Sequence, residues 1–208
     1  MSLFVTFLIA ATVLAITPGP GIAYVIARTV AGGRAEGLAS CLGTGIGGML
    51  HVLAAALGIS LFIAQSALAF SLVKYIGAAY LIYLGIRMLW RKPSAGQSEP
   101  SPVVTSQGPR KALVEGVFVE ALNVKTALFF LAFLPQFASP TEPLVAQLVI
   151  LGTICVALNT LVDVIAVLLA HRILRSDAAR EARGRLLTRV SGVTMLGLGA
   201  YLALAKRE

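Results

Sequence analysis

The sequence predicts an all-α polytopic membrane protein: six transmembrane helices arranged as two inverted three-helix repeats, with helices one and four broken. Three observations carry that expectation. The 208 residues are 58% hydrophobic and 12% charged, with a mean hydropathy of +0.89, whereas soluble domains hold about 25% charged residues. The apolar runs are about 20 residues long, the length a helix needs to cross ~30 Å of hydrocarbon. Helix-disrupting residues also fall inside two of those runs.

Span one, 3–27, has no charged side chain but contains Thr17-Pro18-Gly19-Pro20. Each proline removes a backbone donor and crowds the preceding turn, so the helical ladder must open there. Opened backbone is tolerated at membrane depth only where protein or a water-filled cavity satisfies it, as in the broken helices of transporters. No basic leader or small-residue cleavage site precedes the prolines, so the span reads as a retained helix rather than a signal peptide.

Span two, 37–64, carries Gly43-x-x-x-Gly47, a close-packing face inside the protomer or between the protomers of a homodimer. His51 lies in the same span, as a helix-to-helix hydrogen bond or as a proton relay or metal ligand. Gly43 to Gly48 formally matches G-x-G-x-x-G, but no strand precedes it and no acid follows about twenty residues on, which excludes a dinucleotide site. Span three, 67–90, reads Lys74-x-x-Gly77-x-x-x-Leu81-x-x-x-Gly85, and span six, 186–205, repeats the pattern as Arg189-x-x-Gly192-x-x-x-Leu196-x-x-x-Ala200. Between the halves, Lys92 to Lys111 is rich in Pro, Ser, Gly and Gln and reads as a flexible loop. The expected division is therefore 1–90 for the first repeat, 91–112 for a cytoplasmic loop and 113–208 for the second repeat. Three spans per half invert the second half relative to the first.

Span four, 113–137, contains Glu120, Asn123 and Lys125. A lysine at this depth costs ~2.5–3.5 kcal/mol on insertion scales and needs an anion or water beside it. Glu120 reaches Lys125 only if the helix unwinds near Asn123, and the pair serves either structure or a substrate. Glu115, near the end of the span, reads as solvated. In span five, 144–171, Asn159 and Asp163 are spaced to share one helix face. Asp163 either bridges to Lys125 as a fixed strut or exchanges a proton with arriving substrate.

The net charge of +8 reports topology rather than nucleic-acid binding, because most of the 17 Lys and Arg fall in the first, third and fifth connections. The positive-inside rule makes those loops cytoplasmic and puts both termini outside. Cys41 and Cys155 form no disulfide framework and no metal motif, and no enzyme motif, metal site or cofactor site is legible.

Taken together, these residues resemble the LysE/RhtB family of bacterial amino-acid exporters over nearly the whole chain. The resemblance rests on Thr17-Pro18-Gly19-Pro20, the glycine-rich span two, Lys74 to Gly85, Asn123-x-Lys125 with Phe129-Phe130 and Pro135-Gln136-Phe137, and Asp163. One departure stands out: Val124 occupies the place of the proline in the family's Asn-Pro-Lys. The resemblance implies a secondary transporter in the inner membrane, exporting amino acids or close derivatives on the membrane potential or a proton gradient. Its partners would be a small-molecule substrate, protons and lipids. A neutral, homoserine- or threonine-like substrate is expected, since Lys125 stands against few spare carboxylates.

The substrate carboxylate would meet the half-helix starting at Pro20, with Lys125 assisting. Asp163, Asn159 and carbonyls freed near Thr17 would take its ammonium, with Asp163 and Glu120 as the groups able to couple proton movement. The alternatives are export of a basic amino acid or metal cation, and a thiol–disulfide electron carrier using Cys41 and Cys155.

Overall fold

The computed structural model describes residues 3–59, 105–139 and 141–173, with isolated helical positions within 71–90 and 193–204. The described residues are helical, without strands. Helix α1, Leu3–Ile16, stops where the prolines begin, and α2 restarts at Pro20 and runs to Ala54. Pro20 opens α2 at a position where its missing N–H costs nothing. A straight helix of these 35 residues would be ~52 Å long, but Gly33, at φ 74°, turns the chain. Val25 and Cys41 consequently pack in one apolar cluster, so α2 is a hairpin of two arms. The expected loop between spans one and two is thus reduced to a single left-handed glycine.

The second arm of α2 crosses α3, Pro109–Ala121, at very short range. A methyl group on Gly43 would strike the Leu113 carbonyl, and one on Gly47 would lie 2.6 Å from that of Val117. The glycine pair is therefore committed inside the protomer, which removes the ground on which a homodimer was expected.

The fourth span breaks although Val124 replaces proline. Asn123 has extended backbone and its side-chain oxygen accepts the Lys125 N–H at 3.1 Å, capping the short helix α4, Val124–Leu128. The pieces on either side of this cap are bent by 45°. A π-turn over Phe129–Phe133 and a 3-10 turn over Leu134–Phe137 follow, and α5 spans Leu144–Ile173. Phe7, Phe129, Phe130, Phe133 and Phe137 build the main apolar cluster with Leu14, Val52 and Leu148.

The bundle exposes apolar stripes outside and buries a few polar side chains within its apolar core. Leu42, Ile46, Leu50 and Leu53 form an exposed stripe on α2, and Leu161, Ile165 and Leu168 another on α5. Thr44, Glu120 and Asp163 are buried. Among the described residues, two helices are long and apolar enough to cross a membrane, and the bent α3–α4 pair makes a third. Most of spans three and six, including the repeated Lys74 and Arg189 motifs, lies outside the described residues. The pieces that are described place Gly199 against Ala78 and Ile82, so these two segments pack together.

At one end of the bundle, Arg28 pairs with Glu115 and lies 3.8 Å from Glu36. Glu36 Oε1 also accepts the Ser106 hydroxyl at 2.7 Å and the N–H groups of Gln107 and Gly108 at 3.0 and 2.8 Å. Glu115, expected to be merely solvated, is bound by Arg28, Tyr24 and Lys111. The first and third connections are thereby tied together.

Candidate functional site

The breaks in spans one and four face a common cavity. Its walls are the end of α1, the first turn of α2 with Thr44 and Gly48 of its second arm, the α3–α4 junction, and the Val156-to-Asp163 face of α5. About 30 Å³ is open to water centres, room for roughly two waters.

Pro18 explains the first set of contacts. It has no N–H for the Leu14 carbonyl four residues back, and Lys125 fills the vacancy. Its ammonium donates to the carbonyls of Leu14 at 3.3 Å and Thr17 at 2.9 Å. Positive charge at the carbonyl end of α1 also complements the helix dipole. Gly19 allows this approach, since a methyl there would lie 3.0 Å from Nζ. The Thr17 hydroxyl donates to Val13 O at 2.6 Å.

Glu120 answers at the other break. It accepts from Asn123 Nδ2 at 3.0 Å and from the Thr126 hydroxyl at 2.6 Å. Its carboxylate also lies against the first turn of α2, where a methyl on Gly21 would meet Oε2 at 2.6 Å. The Glu120 carbonyl, beside the break, contacts His51 Nε2 at 2.8 Å, a helix-to-helix hydrogen bond. Asp163 accepts from the Thr44 hydroxyl at 3.0 Å, and its other oxygen has no partner among the described residues. Asn159 donates to the Cys155 carbonyl at 3.0 Å.

Thr17, Glu120, Asn123, Lys125, Asn159 and Asp163 thus line one cavity, while Pro18, Gly19 and Pro20 form the break behind it. Of the alternatives that the sequence left open, the ion pairs are not formed. Lys125 bridges to neither Glu120 nor Asp163, because the carbonyls that Pro18 opens lie within its reach. Those carbonyls were expected to hold a substrate ammonium, and the start of α2 a substrate carboxylate; here Lys125 bonds the carbonyls and Glu120 lies beside Gly21 at the start of α2. Thr44 and Thr126 were missed. The signal for Thr44 was a hydroxyl inside a close-packing glycine run, where it had to point into the bundle.

Cys41 and Cys155 are buried in separate apolar clusters, which removes the geometry a thiol–disulfide carrier needs. Among the described residues, no three His, Cys, Asp or Glu side chains gather as a metal cage.

The model of the LysE type translocator family matches residues 12–206. The chain belongs to that family. It is therefore a membrane transport protein, from a family of translocators rather than enzymes. An uncharacterized membrane protein of Vibrio cholerae is 31% identical over 98% of this chain and 97% of its own length. The homoserine/homoserine lactone efflux protein of Salmonella typhimurium is 30% identical over 96% of this chain and 95% of its own. The leucine efflux protein of Salmonella choleraesuis is 31% identical over 66% of this chain and 64% of its own. No solved structure matches the chain.

Proposed function

We propose that this LysE family translocator exports neutral amino acids or close derivatives across the bacterial inner membrane by proton antiport with alternating access. The observation that carries the reading is the single cavity into which both helix breaks, Lys125 and two carboxylates converge. The substrate ammonium meets Asp163, with Thr44 and Asn159 beside it, and the carboxylate is directed to the remaining proton of Lys125. Asp163 and Glu120 are the groups available to carry a proton inward as substrate leaves. Amino-acid efflux by relatives of similar length supports the substrate class.

The cavity in this conformation is too small for an amino acid, so loading requires its walls to separate. Rocking of 1–90 against 113–208, as inverted repeats, supplies that motion. One break in each half supports this division, as does the tying of the first and third connections at one end. The basic loops put that end in the cytoplasm, with both termini outside.

The test is efflux of a labelled amino-acid panel from loaded vesicles containing the purified protein, under imposed pH gradients of either sign. Efflux of a subset of neutral amino acids, accelerated when protons flow inward against them, is the expected result. Efflux indifferent to the proton gradient removes the antiport, and no efflux of any amino acid removes the substrate class.

A further inference from the structure

The α5 wall of the cavity gathers oxygen atoms around one carboxylate. Asp163, 7% exposed, has one oxygen 3.0 Å from the Thr44 hydroxyl and a second without a partner among the described residues. The Thr44 hydroxyl also lies 3.0 Å from the Cys41 carbonyl. It has a single hydrogen, so it cannot serve both acceptors in full. Asn159 turns its Nδ2 to the Cys155 carbonyl at 3.0 Å, which leaves Oδ1 as its remaining acceptor. Thr160 lines the same wall, three residues before Asp163 and so on the same helix face. A methyl on Gly45, the chain neighbour of Thr44, would lie 3.2 Å from the Thr160 hydroxyl oxygen.

Charge and size define what fits there. Lys125 rests on the carbonyls of Leu14 and Thr17, and Glu120 accepts from Asn123 and Thr126 beside the start of α2. With both acids ionised the cavity holds one negative charge in excess, and Asp163 is where it is least compensated. A buried carboxylate in that state demands a counter-charge. A monovalent cation neutralises the cavity, whereas a divalent ion would leave a positive charge buried. No His or Cys side chain lines the walls, and carboxylate, amide and hydroxyl oxygens are donors for hard cations. The open volume of about 30 Å³ holds a small ion and a water but not an amino acid.

We infer that Asp163, Thr44, Asn159 and Thr160 form a site for a small monovalent metal cation such as Na+, which contends with the cargo ammonium for Asp163. The contention rests on the exporter reading; the cation site itself does not. It gives Asp163 a second means, beside the proton, of being neutralised once cargo has left and the walls have closed.

The experiment is thermal melting of the purified protein in detergent at about pH 8, where carboxylates are ionised, with NaCl replacing choline chloride at constant ionic strength. Na+ should raise the wild-type melting temperature by roughly 2–4 °C. Asp163→Asn and Thr160→Val should lose that rise, and their melts in choline chloride show that each is folded. No rise in the wild type, or an equal rise in Asp163→Asn, overturns the cation site and leaves the exporter reading standing. An exported, labelled amino acid should bind the wild type roughly threefold or more weakly in NaCl than in choline chloride. Binding that Na+ leaves unchanged or strengthens puts the ion elsewhere and overturns the assignment to Asp163. If the vesicle panel yields no exported amino acid, the melts alone decide the cation site, so the two readings fail separately.

Discussion

Two clusters of cations and carboxylates lie in the same bundle and are wired differently. Arg28 bonds Glu115 and lies 3.8 Å from Glu36, whose other oxygen holds the Ser106 hydroxyl and the backbone of Gln107 and Gly108. Lys125, Glu120 and Asp163 engage only neutral groups: backbone carbonyls, an amide and hydroxyls. Charges that satisfy one another make a fixed fastening, and cargo has little to offer them. Charges held by dipoles leave a field that a small ion can enter. The first group secures the hairpin to the start of α3, and the second lines the candidate site.

Cutting the fastening should have the largest effect. Arg28→Met leaves Glu36, 2% exposed, without its cation. Removing one member of a buried pair costs about 3–5 kcal/mol. The variant should melt at clearly lower temperature in detergent, while the folded fraction keeps its substrate KM. A changed KM with an unchanged melt would move Arg28 into the transport site.

Asp163→Asn tests the other side. The amide keeps a partner for Thr44 but loses the charge-assisted contact with an ammonium, about 1.5–3 kcal/mol. Amino-acid binding, followed by competition, should weaken by roughly 10–100-fold, with the melting temperature held. A smaller effect comes from Asn123→Ala, which removes the α4 cap for about 1 kcal/mol and one donor to Glu120. Its melt should fall modestly and its KM should shift in the same preparation.

The smallest effect is expected from Val124→Pro. Val124 is the first residue of α4, a position where proline's missing N–H and fixed φ are tolerated. Melt and efflux should both stay within error of the wild type. A collapse of either would mean that the break depends on more than the Asn123 cap.

Rare events in an apolar background are easy to read, and that decided what was legible. Prolines 18 and 20, Lys125 and Asp163 stood out because breakers and charges inside spans are costly. Partner choice was harder. Charge alone suggested that Lys125 would seek Glu120 or Asp163, but the nearest unmet acceptors were carbonyls, which every residue carries and no sequence pattern marks. Thr44 and Thr126 were hidden by the commonness of threonine in spans. A turn between spans one and two was expected, but its tightness at Gly33 was not marked by the residues around it, and neither was the ion cluster that this turn lets Arg28 and Glu36 build with Glu115.

On the proposed reading Asp163, and not the Arg28 cluster, carries transport. Efflux of a labelled amino acid from loaded vesicles should be compared for wild type and Asp163→Asn, with melting temperatures taken on the same samples. Efflux lost while the melt is retained is the predicted result. An Asp163→Asn protein that exports at the wild-type rate would contradict the account.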